Sequence, residues 1–133
     1  MMCGRRVLVA DDEPDIRNIL RRTLLGAGFC VCEAGNGAEA LVVAEHCDVN
    51  VILMDVMMPR MSGTEAVRQL RADPRFAHIP VVFITASGVT ASSAQPSQVG
   101  DMLLLSKPLN LEQLITTVNQ LASSAPTARP PTS

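Results

Sequence analysis

The sequence predicts an α/β domain: a parallel five-stranded sheet with helices on both faces. Three observations carry this. Five short β-branched and apolar runs alternate along the chain with stretches of helical periodicity. The runs are continuously apolar rather than alternating, as strands buried on both sides require. Nearly all the polar residues that interrupt them fall at their C-terminal ends, where open α/β sheets place their sites. At 133 residues and 47% apolar, the chain is expected to form one domain with a real core.

The elements follow in order. Arg6 to Ala10 is the first strand and ends in Asp11, Asp12 and Glu13. Pro14 suits the first turn of a helix, and Ile16, Ile19, Leu20 and Leu24 recur at helical spacing until Gly26 and Gly28 stop it. Phe29 to Ala34 is the second strand, Gly35-Asn36-Gly37 a turn, and Ala38 to Glu45 a helix with Leu41 and Ala44 inward. Val49 to Met54 is the third strand, climbing to Asp55 and breaking at Pro59. Ser62 and Glu65 form a capping-box pattern, Ala66, Val67 and Leu70 give the buried face behind it, and Asp73-Pro74 ends that helix. Pro80 introduces Val81 to Ile84, a fourth strand closed by Thr85. Ala86 to Gly100, rich in Ser, Ala and Thr, supports only a short, weakly specified helix. Met102 to Leu105 is the fifth strand, followed by Ser106, Lys107 and Pro108. Asn110 caps a last helix with Gln113 at its third position and a stripe of Leu111, Leu114, Ile115, Val118 and Leu121. The domain is thus expected over residues 1–122, with 123–133 a disordered tail or the start of a linker.

Composition excludes several classes. A net charge of -2 gives no reason to expect direct nucleic-acid binding. No apolar run reaches the length of a membrane span or a signal-peptide core, so a cytoplasmic protein is expected. Cys3, Cys30, Cys32 and Cys47 match no zinc module and read as buried or partly buried free thiols, the lesser alternative being a redox or metal role together with His46. Ten of the eleven basic residues are Arg; Lys107 is the only Lys, which matters where a compact, movable ammonium is needed.

The strand ends collect chemistry. Asp11 and Asp12, Asp55, Thr85 and Lys107 fall on one sheet edge. Three acids brought together repel and ask for a cation, and hard oxygen donors suit Mg²⁺. An ionised Asp beside a metal can attack phosphorus to give an aspartyl phosphate, whose oxygens then need donors such as Thr85 and Lys107. Taken singly, each has a plainer role: Asp11 or Asp12 as a helix cap, Thr85 as a strand end, Lys107 as a snorkelling edge residue. The five together point to one site.

In these residues the chain resembles the receiver domains of two-component response regulators. The matching features are Asp11-Asp12, Asp55 with Met58-Pro59, Gly63 opening the next helix, Thr85-Ala86 and Lys107-Pro108, across residues 5 to 122. The resemblance implies a flavodoxin-like (βα)5 fold with strand order 2-1-3-4-5. It implies that Asp55 accepts a phosphoryl group from a histidine kinase or histidine phosphotransfer protein. Mg²⁺ would be held by Asp12, Asp55 and the Met57 backbone carbonyl, with Asp11 acting through water. Thr85, Ala86, Lys107 and Met57 would contact the phosphoryl group, Thr85 would switch, and the Lys107-Pro108 bond would be cis. Such a domain signals rather than turning over substrate. Its other partner is a downstream protein of unknown identity, with no nucleic acid or membrane, and a homodimer is compatible with the family.

Two positions depart from the family. Leu104 stands where receivers usually carry the switching Tyr or Phe, and Leu109 replaces an aromatic after Lys-Pro. Either phosphorylation still shifts two states with Leu104 repacking, or the domain mainly passes and absorbs phosphoryl groups. Met57 and Ser87 lie where the family tunes dephosphorylation. A haloacid-dehalogenase-type phosphatase also uses an Asp nucleophile, but places its second Asp two residues on, where this chain has Glu13. A non-phosphorylated binding module on the same fold is a third reading. No output domain is expected in this stretch, which reads equally as a stand-alone regulator or part of a longer protein.

Overall fold

The computed structural model describes residues 5–85, 97–99, 102–106 and 110–128. Among them, six strands and four helices follow the order β1 (Arg6–Ala10), α1 (Pro14–Gly26), β2 (Cys30–Ala34), α2 (Gly37–His46), β3 (Val51–Asp55), α3 (Gly63–Ala72), β4 (Val81–Thr85), β5 (Ser97–Val99), β6 (Met102–Ser106) and α4 (Leu111–Ala128). The sheet order is β2-β1-β3-β4-β6-β5. Every neighbouring pair is parallel except β5 with β6. The expected parallel order is therefore present, with β6 as its fifth strand.

The side-chain period of two sorts the strands onto two cores. Leu8, Ala10, Ile52, Met54, Val81 and Phe83 pack with Ala40 and Ala44 of α2 and Ala66, Val67 and Leu70 of α3. Their sequence neighbours Val7, Val9, Val51, Leu53, Val82 and Ile84 pack with Leu20 and Leu24 of α1 and Leu114 and Val118 of α4. That is a doubly wound sheet. β3 is buried along its whole length, which is why its sequence does not alternate. Each fully buried Leu on a helix face contributes about 1.5–3 kcal/mol.

Local signals set the helix ends. Pro14 opens α1, where its missing N–H costs nothing. Gly28, at φ 98°, lets the chain turn out of α1 toward β2. Ser62 Oγ accepts from Glu65 N at 3.2 Å, one half of the expected capping box. The Glu65 carboxylate is instead drawn outward to Arg68 and Gln69. Asn110 Oδ1 accepts from Gln113 N at 3.0 Å and caps α4.

The structure differs from the sequence reading in five places. Asn36, read as the centre of a turn, caps α2 by accepting from Glu39 N at 2.8 Å. Ala40, which the sequence reading left out, is fully buried and joins Ala44 and the partly buried Leu41 on the inner face. Ser97–Val99, inside the segment given a weak helix, is an antiparallel edge strand, with Val99 in register with Met102 of β6. α4 stays helical to Ala128, through residues read as tail. Cys30 is disulfide-bonded, which corrects the expectation of free thiols throughout, whereas Cys32 and Cys47 are free and half-buried. No helix among the described residues is long and apolar enough to cross a membrane.

Candidate functional site

The site lies at the carboxyl ends of β1 and β3. Ala10 and Met54 are in register, so the residues that follow them, Asp11 and Asp55, leave adjacent strands side by side. Carboxylate oxygens of Asp11, Asp12 and Asp55 all lie within 4.8 Å of one another. Asp11 is fully buried and Asp55 is 4% exposed, while Asp12 faces solvent.

The two buried acids are held by backbone. Asp11 N donates to Ala34 O of β2 at 3.1 Å. Asp11 Oδ1 accepts from Glu13 N at 2.9 Å, bending the chain into α1. Asp11 does not cap α1, whose N-cap is Glu13; it fixes the turn before the helix while its carboxylate stays in the cluster. Asp55 Oδ1 accepts from Met57 N at 3.2 Å. The loop after Asp55 is braced by Val56 N to Ile84 O at 2.9 Å, Gly63 N to Val56 O at 3.0 Å and Gly37 N to Met61 O at 3.1 Å. Met57 itself is 72% exposed at the rim of the site.

The oxygen set suits a small hard cation. Octahedral Mg²⁺ with ligands at about 2.0–2.1 Å needs oxygens roughly 3 to 4 Å apart, within reach of this cluster. Among the described residues no thiol or imidazole joins it, and an all-oxygen set favours a hard cation over a softer metal.

Strand register places the remaining candidates in part. Asp55 is in register with Ile84 of β4, which puts Thr85 one residue beyond it on the same sheet edge. Thr85 is in register with Ser106, the residue before Lys107. Leu104 lies beside Phe83 in the same ladder. Ala86, Ser87, Lys107, Pro108 and Leu109 lie outside the described residues. Two residues that the sequence reading passed over frame the site. Arg17 of α1 donates from Nη1 to Asp11 O at 2.7 Å and pairs with Glu33 through Nε at 3.2 Å. Arg21 pairs with the other Glu33 oxygen at 3.2 Å. Gly37, read as part of a turn, is where α2 meets the loop after Asp55.

Residues 7–119 match the family described as the response regulator receiver domain. The chain belongs to that family. This decides against the phosphatase alternative. Response regulator Rre1 of Synechocystis sp. is 37% identical over 116 residues, covering 86% of this chain and 50% of Rre1. Protein PilH of Pseudomonas aeruginosa is 32% identical, covering 86% of this chain and 94% of PilH. The chain thus spans about half the length of some relatives and nearly all of another. Among solved structures, the chemotaxis response regulator CheY4 of Vibrio cholerae superimposes with a TM-score of 0.76 at 32% identity, covering 88% of this chain and 98% of CheY4. Receiver domains are signalling domains of two-component systems, work with histidine kinases or phosphotransfer proteins, and use Mg²⁺ and phosphorylation.

Proposed function

We propose that this receiver accepts a phosphoryl group on Asp55 in a Mg²⁺-dependent reaction and signals through the resulting change at its sheet edge. The observation that carries the reading is the placement of Asp55: a buried carboxylate at the mouth of the central strand, within 4.8 Å of two further carboxylates. A buried carboxylate among like charges is stabilised by a cation, and an ionised Asp beside a metal can attack phosphorus.

An Asp55 carboxylate oxygen attacks the phosphorus of a phosphohistidine on the partner. The P–N bond breaks, the imidazole leaves with the electron pair, and an acyl phosphate forms on Asp55. Met57 N already donates to Oδ1, which supports Oδ2 as the attacking atom. Asp12, Asp55 and the Met57 carbonyl would hold Mg²⁺, with Asp11 acting through water, and the charge of a bound ion would offset that of the carboxylates and the incoming phosphoryl group. The Thr85 hydroxyl, the Lys107 ammonium and the backbone N–H groups of Met57 and Ala86 would bind the phosphoryl oxygens. Thr85 and Leu104 would carry the switch, with Leu104 repacking beside Phe83 rather than a ring rotating. We take residues 1–122 as the receiver unit and place its work in the cytoplasm, with a histidine kinase or phosphotransfer protein as donor and a further protein or a second copy as listener.

Incubation with acetyl phosphate and Mg²⁺ tests the reading. Intact-mass spectrometry should show one added phosphoryl group, strongly reduced by chelation and absent in Asp55→Asn. Equal labelling with and without chelator would overturn the cation's part.

A further inference from the structure

We propose that Arg17 is a positioning residue of the cation site, aiming the Asp11–Asp12 turn through the Asp11 backbone carbonyl. The inference rests on the reading of that site given above and adds a residue to it from α1.

Arg17 is where three parts of the fold meet. Its Nη1 donates to Asp11 O at 2.7 Å, a charge-assisted bond to the last carbonyl before the exposed Asp12. Its Nε is held by Glu33 of β2 at 3.2 Å. Its Nη1 also lies against Gly35, where an added Cβ would sit 3.4 Å away. Glu33 is in turn shared with Arg21, one turn further along α1. The Arg17 side chain is only 24% exposed, so its orientation is set by these contacts rather than by solvent.

Asp11 is then fixed at its backbone nitrogen by Ala34, at its carbonyl by Arg17 and at Oδ1 by Glu13. The carbonyl bond is the one that orients the peptide plane leading to Asp12. Asp12 is exposed, and the aim of its carboxylate depends on that plane. Groups that orient ligands from behind are typically worth 10- to 100-fold in metal affinity.

Lysine separates positioning from charge. Arg17→Lys keeps the positive charge near the acids but loses the planar fork that reaches Glu33 and Asp11 O together. If Arg17 acted only by its charge, Lys would replace it. With no Trp or Tyr in the chain, Mg²⁺ binding is read by calorimetry or by ¹⁵N–¹H chemical shifts. We expect Arg17→Lys to raise the Mg²⁺ dissociation constant about tenfold. Without Mg²⁺, its Glu13 amide, which donates to Asp11 Oδ1, should exchange with solvent several-fold faster, while amides of β3 exchange as in wild type. Wild-type binding within twofold, or an unchanged Glu13 amide, would overturn the inference. If wild-type protein binds no Mg²⁺, the reading of the site itself fails; if it binds and Arg17→Lys binds equally, only the role of Arg17 does.

Discussion

Replacing Gly63 by Ala should destabilise this protein by roughly 3 kcal/mol, although the site is the first residue of a helix, where propensity alone favours Ala. The packing explains the sign. A Cβ on Gly63 would stand 2.1 Å from Asp55 O, 2.8 Å from Met54 Cγ and 3.0 Å from Asp55 C, where ordinary contact begins at 3.4 Å. The closest atom is backbone, so no rotamer change relieves it. Either α3 lifts from the sheet or the peptide after Asp55 rotates, and both strain the Gly63 N to Val56 O bond. Overpacking against rigid neighbours costs about 1–3 kcal/mol, and a weakened backbone bond adds about 1. For a chain this long, that lowers the melting midpoint by roughly 10 °C. Gly26→Ala is the control: it has no neighbour within 4 Å and an ordinary φ, so it should gain about 0.4–1 kcal/mol. Thermal unfolding followed by circular dichroism reads both. A Gly63→Ala protein melting within about 2 °C of wild type would refute the claim that α3 is seated directly on the end of β3.

Two further predictions concern other parts of the fold. Ser62→Ala removes the acceptor for Glu65 N and should cost about 1 kcal/mol in urea unfolding, with Ser62→Asn retaining most of it. Burial, with Cys47 beside it, pushes the Cys32 thiol up to about 11 from 9.0. At pH 8 its thiolate is therefore roughly 100-fold scarcer than that of an ordinary thiol, and iodoacetamide should label it correspondingly slowly in the folded state. Because the folded state holds that proton more tightly, the group's contribution to stability is complete below about pH 9 and is lost as pH rises toward 11. Labelling of Cys32 at the rate of a free peptide thiol would show that it is not enclosed.

Much of this was legible in the sequence because the signals are local. β3 announces itself by an unbroken apolar run, and the acids at its end and at the end of β1 stand out against that background. Ser62 and Asn110 cap as their spacing suggests. Asn36 was obscured by its flanking glycines, although Asn36 and Glu39 have the same spacing as a capping box. The pairing of Arg17 with Glu33 spans 16 residues and depends on α1 crossing β2, so no local pattern reveals it. The β5 edge strand and the Cys30 disulfide are likewise decided by where the chain meets itself. Leu104 was visible as a departure, and its register beside Phe83 came only with the sheet.

The central claim is that Asp55 is the phosphoacceptor, and chemical localisation tests it most directly. Protein treated with acetyl phosphate and Mg²⁺ is reduced with borohydride, which converts an aspartyl phosphate to homoserine, and is then sequenced by tandem mass spectrometry. The account predicts homoserine at position 55 alone, dependent on Mg²⁺. Homoserine at Asp11 or Asp12, or none anywhere in protein that has gained phosphate, would contradict it.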